Sequence, residues 1–158
     1  MKDDIKNIKC VILAGGYGTR ISEETSKVPK PMVTIGDVPI ILHIMRYYYS
    51  FGVNDFIICA GYKADLIKAY FANYMANTPM LTFDSRLDDC NPIIEYKVRE
   101  KWRVRVVDTG LNTMTGGRLK RIESLIKPKE DFFATYGDGL SDVNINDLFQ
   151  THLRKKRI

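Results

Sequence analysis

The chain has 158 residues, 45% of them hydrophobic, enough to bury one domain's core and too few for several. No apolar run approaches the roughly 18 residues that cross a bilayer, and the start, Met1-Lys2-Asp3-Asp4-Ile5-Lys6, is charged where a signal peptide needs its apolar stretch, so the expectation is a cytoplasmic protein with no membrane partner. Of the formal net charge of +5, Arg154, Lys155, Lys156 and Arg157 supply four units, which reads as a solvated basic end on a nearly neutral body and argues against a nucleic-acid partner.

Cys10-Val11-Ile12-Leu13-Ala14 is short, continuous and apolar, the pattern of a parallel strand buried on both faces. Leu13, Ala14, Gly15, Gly16, Tyr17, Gly18, Thr19 and Arg20 then carry the chain off that strand's carboxyl end, where open α/β sheets place ligands. Glycines at 15, 16 and 18 let backbone N–H groups approach phosphate oxygens without Cβ obstruction. Arg20 offers a planar fork for phosphate and Lys30, in Lys30-Pro31-Met32, a point charge. Two other phosphate loops do not fit: Thr19-Arg20 stands where a P-loop needs Lys-Ser/Thr, and Ile21 stands where the dinucleotide fingerprint needs its third glycine.

Further along, Pro39 opens a helix that ends near Gly52. Phe56–Ala60 reads as a second buried strand, and Ala64–Tyr74 as a helix with Leu66, Ile67, Tyr70, Phe71 and Tyr74 on one face. Between Thr78 and Val98 the pattern weakens around a turn at Asp88-Asp89-Cys90-Asn91-Pro92. Arg103–Asp108 is an alternating strand, Arg118–Ile126 a helix after Thr115-Gly116-Gly117, Phe132–Tyr136 a short strand, and Asp147–Leu153 a closing helix. Strands alternating with helices predict an α/β fold with a mostly parallel sheet covered on both faces. Cys10, Cys59 and Cys90 are odd in number and lack a Cys-x-x-Cys pair, so they read as reduced thiols.

Two more groups carry chemistry. Asp138, between Gly137 and Gly139 at a strand's carboxyl end, is one carboxylate of the kind that holds Mg²⁺ together with phosphate oxygens and water; an Asp in a tight turn gives the same pattern. Thr113-Met114-Thr115-Gly116-Gly117-Arg118 leads into a helix whose first N–H groups can meet an anion or a base edge, or be capped by Thr115. His43 and His152 lie on helices without a partner at a recognisable spacing and are not assigned a catalytic role.

These residues resemble the sugar-phosphate nucleotidyltransferases, whose signature is a Gly-x-Gly-Thr-Arg loop followed by Lys-Pro. Thr115-Gly116-Gly117-Arg118-Leu119-Lys120-Arg121 and Tyr136-Gly137-Asp138-Gly139 look like the glucose-1-phosphate cytidylyltransferase branch, and the likeness runs from about Ile8 to Phe149. The resemblance implies a Rossmann-like three-layer fold, with CTP and glucose 1-phosphate as substrates and Mg²⁺ on Asp138. It implies catalytic roles for Arg20 and Lys30 and nucleotide contacts from the loop at 13–20, Thr113, Thr115, Gly116, Arg118 and Gly139. Which of Thr113 and Thr115 faces the base stays open. It also implies a homo-oligomer for the full-length enzyme, a place in surface-polysaccharide synthesis, and a chain that is one incomplete domain, residues 1–158, about 100 residues short of the usual size, with an unpaired strand edge where the sheet is cut. One local departure is Lys27-Val28-Pro29-Lys30-Pro31, where relatives often carry Lys-Pro-Lys-Pro.

Overall fold

A computed structural model describes residues 5–16, 28–74, 79–82, 93–96 and 100–155. In chain order the elements are β1 (Lys9–Ala14), a 3-10 turn (Lys30–Met32), β2 (Thr34–Ile35), β3 (Val38–Pro39), α1 (Ile40–Ser50), β4 (Asp55–Ala60), α2 (Ala64–Tyr74), β5 (Pro79–Thr82), β6 (Ile93–Tyr96), β7 (Arg103–Asp108), α3 (Thr115–Arg121), a second 3-10 turn (Glu123–Leu125), β8 (Phe132–Tyr136) and α4 (Ile145–Lys155).

β1 is apolar throughout its middle because strands flank it on both sides. Lys9 to Ala14 pair in parallel with Asp55 to Ala60 of β4, and Lys9 to Leu13 with Phe132 to Tyr136 of β8. β7 lies parallel on the far side of β4, giving the order β7-β4-β1-β8. Counted along the chain, the strands run third, second, first, fourth. The direction of winding therefore reverses between β1 and β8, the switch point at which such sheets open a crevice.

Alternate residues of each strand point to opposite faces. Cys10, Ile12, Phe56 and Ile58 pack with Ile41 and Met45 of α1, Ile67 of α2 and Phe149 of α4. Val11, Ile57 and Cys59 form a smaller cluster with Ile122, against which Leu119 of α3 packs. Helices thus cover both faces, and the three-layer α/β expectation holds.

Four details differ from the sequence reading. Residues 79–82 and 93–96 form an antiparallel hairpin where only a turn was expected. The helix expected over 118–126 begins at Thr115, with Met114 as its cap residue, and gives way after Arg121 to the 3-10 turn. Leu66 is 43% exposed, so the buried face of α2 rests on Ala64 and Ile67, while Tyr70, Phe71 and Tyr74 are half-buried. α4 starts two residues earlier than expected because the Asn144 side chain accepts from Asn146 N (3.0 Å) and Asp147 N (3.2 Å), an Asx cap.

β8 pairs with β1 alone among the described strands, so it forms an edge of the sheet. Phe132 and Tyr136 on that edge are exposed. No described helix is long and apolar enough to cross a membrane.

Candidate functional site

The crevice between the carboxyl ends of β1 and β8 is an open cleft of about 270 Å³. One wall is Leu13, Ala14, Gly15 and Gly16; the others are Lys30 and Pro31, the segment Thr113-Met114-Thr115 with Arg118, and Tyr136 with Asp138. Residues drawn from four distant stretches of sequence meet here.

Lys30 is held by its backbone and by its neighbour. Met32 N donates to Pro29 O (2.7 Å) and Val33 N to Lys30 O (3.0 Å), closing the tight turn. Pro31 is buried, and its Cγ lies 3.0 Å from where a Cβ on Gly137 would stand. Glycine at 137 lets the proline ring seat close against the exit of β8 without that turn having to shift. That contact carries Lys30 toward Asp138, one residue beyond: Lys30 Nζ lies 3.9 Å from Asp138 Oδ2, with the side chains 21% and 43% exposed. Such an exposed pair adds little to stability. Its effect is to present a cation and a carboxylate to the same volume.

Arg118 is 5% exposed and forms the floor. Its Nη1 donates to Ala60 O (3.1 Å), Thr109 Oγ1 (2.7 Å) and Gly110 O (2.9 Å), and its Nη2 to Gly15 O (2.9 Å) and Leu111 O (3.3 Å). Thr109, fully buried, donates to Ala60 O at 2.6 Å and so completes the network. One guanidinium therefore ties the loops leaving β1, β4 and β7. The guanidinium lies where a side chain on Gly15 would go, so any larger residue at 15 would push Arg118 out of this network. The resemblance cast Arg118 as a direct nucleotide contact. Here its charge lies at the cleft floor while both Nη groups are engaged by protein oxygens, and its visible work is to fix the loop that begins at Gly15.

Thr113 and Thr115 both line the cleft, as does Met114, which is 82% exposed. Gly116 and Gly139 were expected to contact nucleotide but are not among the lining residues; a Cβ at either would meet nothing within 4 Å. Tyr17, Gly18, Thr19 and Arg20 lie outside the described residues. Pro31, Met114 and Tyr136 were read from the sequence only as parts of motifs, without a site role of their own. Tyr136 could have been given one, as the last strand residue before Gly137-Asp138-Gly139.

The remaining reactive groups stay apart from the cleft wall. Burial pushes the Cys59 thiol up to about 11, with the Arg118 charge pulling the other way, and raises Cys10 further. Both are free, buried thiols, uncharged near neutrality. Cys90 lies outside the described residues. His43 Nε2 sits 3.3 Å from Ile35 O. His152 does have a carboxylate partner, Asp131 at 3.1 Å, which spacing along the chain did not reveal; neither histidine lines the cleft.

Among the described residues no three His, Cys, Asp or Glu side chains cluster as a metal cage. Asp138 is a single hard oxygen donor facing the cleft, a donor set that suits an ion such as Mg²⁺ completed by phosphate oxygens and water.

Known proteins resemble this chain over most of its length. Glucose-1-phosphate cytidylyltransferase of Salmonella typhimurium is 49% identical over 148 residues, covering 92% of this chain and 56% of the relative. The probable glucose-1-phosphate cytidylyltransferase of Bacillus subtilis is 41% identical, covering 94% and 57%. The crystal structure of HddC from Yersinia pseudotuberculosis complexed with GMP-PN superposes with a TM-score of 0.65 at 26% identity, covering 92% of this chain and 54% of that one. The chain thus spans little more than half the length of these relatives. The nucleotidyl transferase family model matches residues 9–157, nearly the whole sequence, and the chain belongs to that family.

Proposed function

We propose that the cleft is the nucleotide site of a glucose-1-phosphate cytidylyltransferase, which joins CTP and α-D-glucose 1-phosphate to give CDP-glucose and pyrophosphate. The observation that carries this reading is the meeting of Lys30 and Asp138 at the switch point, beside the glycine strand exit. Two relatives above 40% identity, the Salmonella glucose-1-phosphate cytidylyltransferase and the probable one of Bacillus subtilis, support CTP over other nucleotides.

The reaction needs no general base. A phosphate monoester has its second pKa near 6, so an oxygen of the sugar phosphate is already anionic when it attacks the α-phosphorus of CTP. The new P–O bond forms as the bond to the β-phosphate breaks, and pyrophosphate leaves. Catalysis is then positioning and charge neutralisation. Backbone N–H groups from Gly15 onward hold the triphosphate. Lys30 balances charge on the phosphates of both substrates, and Arg20 stabilises the leaving pyrophosphate. Asp138 is the carboxylate that would hold Mg²⁺. Bound there, the ion supplies positive charge to the phosphate oxygens as the leaving group departs. Thr113, Met114 and Thr115 line the side of the cleft where the base would lie.

The test is thermal melting of the chain with CTP, GTP, dTTP or ATP, each with and without Mg²⁺, because a ligand that binds only the native state raises its apparent stability. A shift specific to CTP and enlarged by Mg²⁺ is the expected result. A cooperative melt that GTP or dTTP raises more than CTP overturns the assignment of the base. Coupled detection of pyrophosphate from CTP and glucose 1-phosphate then asks whether this length of chain turns over.

A further inference from the structure

A second concavity, of about 740 Å³, lies at the opposite end of the sheet, where β1, β4 and β7 begin. It is larger than the cleft, and β1 separates the two, five residue steps or about 17 Å from Lys9 to Ala14. Its volume falls within the roughly 300–1,000 Å³ of small-molecule sites.

The lining is cationic. Among the described residues, Lys9, Arg103, Arg105 and Lys127 face two carboxylates, Asp55 and Glu130, an excess of two positive charges before Lys6 is counted. Both carboxylates are already engaged. Asp55 is almost buried; one oxygen accepts from Arg105 Nη2 (2.5 Å), and the other is ion-paired with Arg103 Nη2 at 3.1 Å. Glu130 accepts from Lys9 Nζ (2.5 Å) and from Lys127 N (2.7 Å), and these bonds hold its carboxyl below the usual range. One anion shared by two guanidiniums leaves the arginine pair with a net positive charge, and the buried Nε of Arg105 has no hydrogen-bond partner among the described residues. Asn7, Asn54 and Ser124 add further polar groups, and Leu125 is the one apolar lining residue.

This distribution refines the near-neutral body expected from composition. The average is neutral, but charge is concentrated on one end of the sheet. Among the described residues no aromatic side chain lines the cavity on which a base could stack, as single-stranded nucleic acid sites need. Two guanidinium forks and an ammonium around a concave polar volume match a compact polyanion with several oxygens.

We propose that this cavity is a second binding site, distinct from the cleft, for the diphosphate group of a small molecule, with Arg103, Arg105 and Lys127 as its principal contacts. The assignment does not depend on which nucleotide the cleft takes.

The test titrates sodium pyrophosphate into the Lys30→Ala chain by calorimetry at fixed ionic strength, which weakens the cleft and leaves the cavity intact. Arginine Nε–H resonances are followed in parallel. The expected result is binding near one equivalent, with shifts at Arg103 and Arg105. A further Arg103→Ala, Lys127→Ala pair in the same background, both exposed positions that spare the Arg105–Asp55 contact, should weaken binding at least tenfold with an unchanged cooperative melt. CDP binding with similar affinity and the same sensitivity assigns the diphosphate as the recognised unit whether free or carried by a nucleoside. No binding in the Lys30→Ala chain, binding that the added pair leaves unchanged, or resonance shifts confined to Arg118, each overturns the proposal.

Discussion

Arg118 Nη2 donates to the carbonyl oxygen of Gly15 at 2.9 Å across 103 positions of sequence, so the opening of the glycine loop is set by a side chain from the third helix. A lysine there keeps the charge but offers one compact ammonium in place of a planar fork. It cannot reach Ala60, Thr109, Gly110 and Gly15 together. Arg118→Lys should therefore lose about 2–4 kcal/mol of stability, the scale of orphaning buried acceptors beside a buried charge. It should also lose most of its stabilisation by CTP. Urea unfolding with and without CTP reads both effects.

Lys30→Ala separates fold from function in the opposite way. Its partner Asp138 is exposed and the pair is 3.9 Å apart, so the urea midpoint should move by less than about 1 kcal/mol. Nucleotide binding should fall by tenfold or more, because a phosphate-facing cation is lost. A variant that melts normally and binds CTP as tightly as the parent would remove Lys30 from the site.

Gly137→Ala tests the support beneath Lys30. The added Cβ would stand 3.0 Å from Pro31 Cγ and 3.3 Å from Ala14 Cβ, so the proline turn must shift by a few tenths of an ångström. The expected cost is about 1–2 kcal/mol of overpacking. CTP stabilisation should drop by more than that loss of stability accounts for, since Lys30 rides on the same turn. The paired readout is urea unfolding and a CTP titration.

Alkaline pH should destabilise the fold through its buried thiols. Cys59 has an ordinary value of 9.0 and a folded value of about 11, so the native state retains its proton where the unfolded chain has lost it. Stability from this group is therefore full below pH 9 and falls as pH rises from 9 to 11, with a slope of up to about 1.4 kcal/mol per unit. Cys10 acts in the same direction. Unfolding at pH 8, 9.5 and 10.5 should show this decline, smaller in Cys59→Ala. A thiol reagent at pH 8 should reach neither Cys10 nor Cys59 until urea is added.

Much of the architecture was legible because buried parallel strands announce themselves. Cys10–Ala14 and Phe56–Ala60 are apolar runs that no amphipathic helix would produce, and Pro39 marks the start of α1. The hairpin of β5 and β6 was not, since four-residue strands joined across a polar stretch carry too few alternations to show a period. Lys30 and Asp138 line one crevice, the first within a proline turn and the second just past a strand exit, and both positions can be seen as local patterns in the sequence. The bracing by Arg118 was hidden for a different reason. An arginine at the start of a helix looks the same in sequence whether it faces a phosphate or a ring of carbonyls. The basic cavity was hidden too, because Lys9, Arg103, Arg105 and Lys127 are scattered along the chain and converge only when the strands align.

The reversal of winding at β1 also imposes a timetable. β1 is synthesised first among the sheet strands, yet its second hydrogen-bonding edge is closed only by residues 132–136, and Gly15 gains its brace only once residue 118 has emerged. During translation this apolar strand must wait, half-paired, for its last neighbour, the interval in which open strand edges invite chaperones or association with other chains. A ribosome pausing between the codons for Ala60 and Phe132 should therefore increase aggregation of the nascent protein more than one pausing after Tyr136.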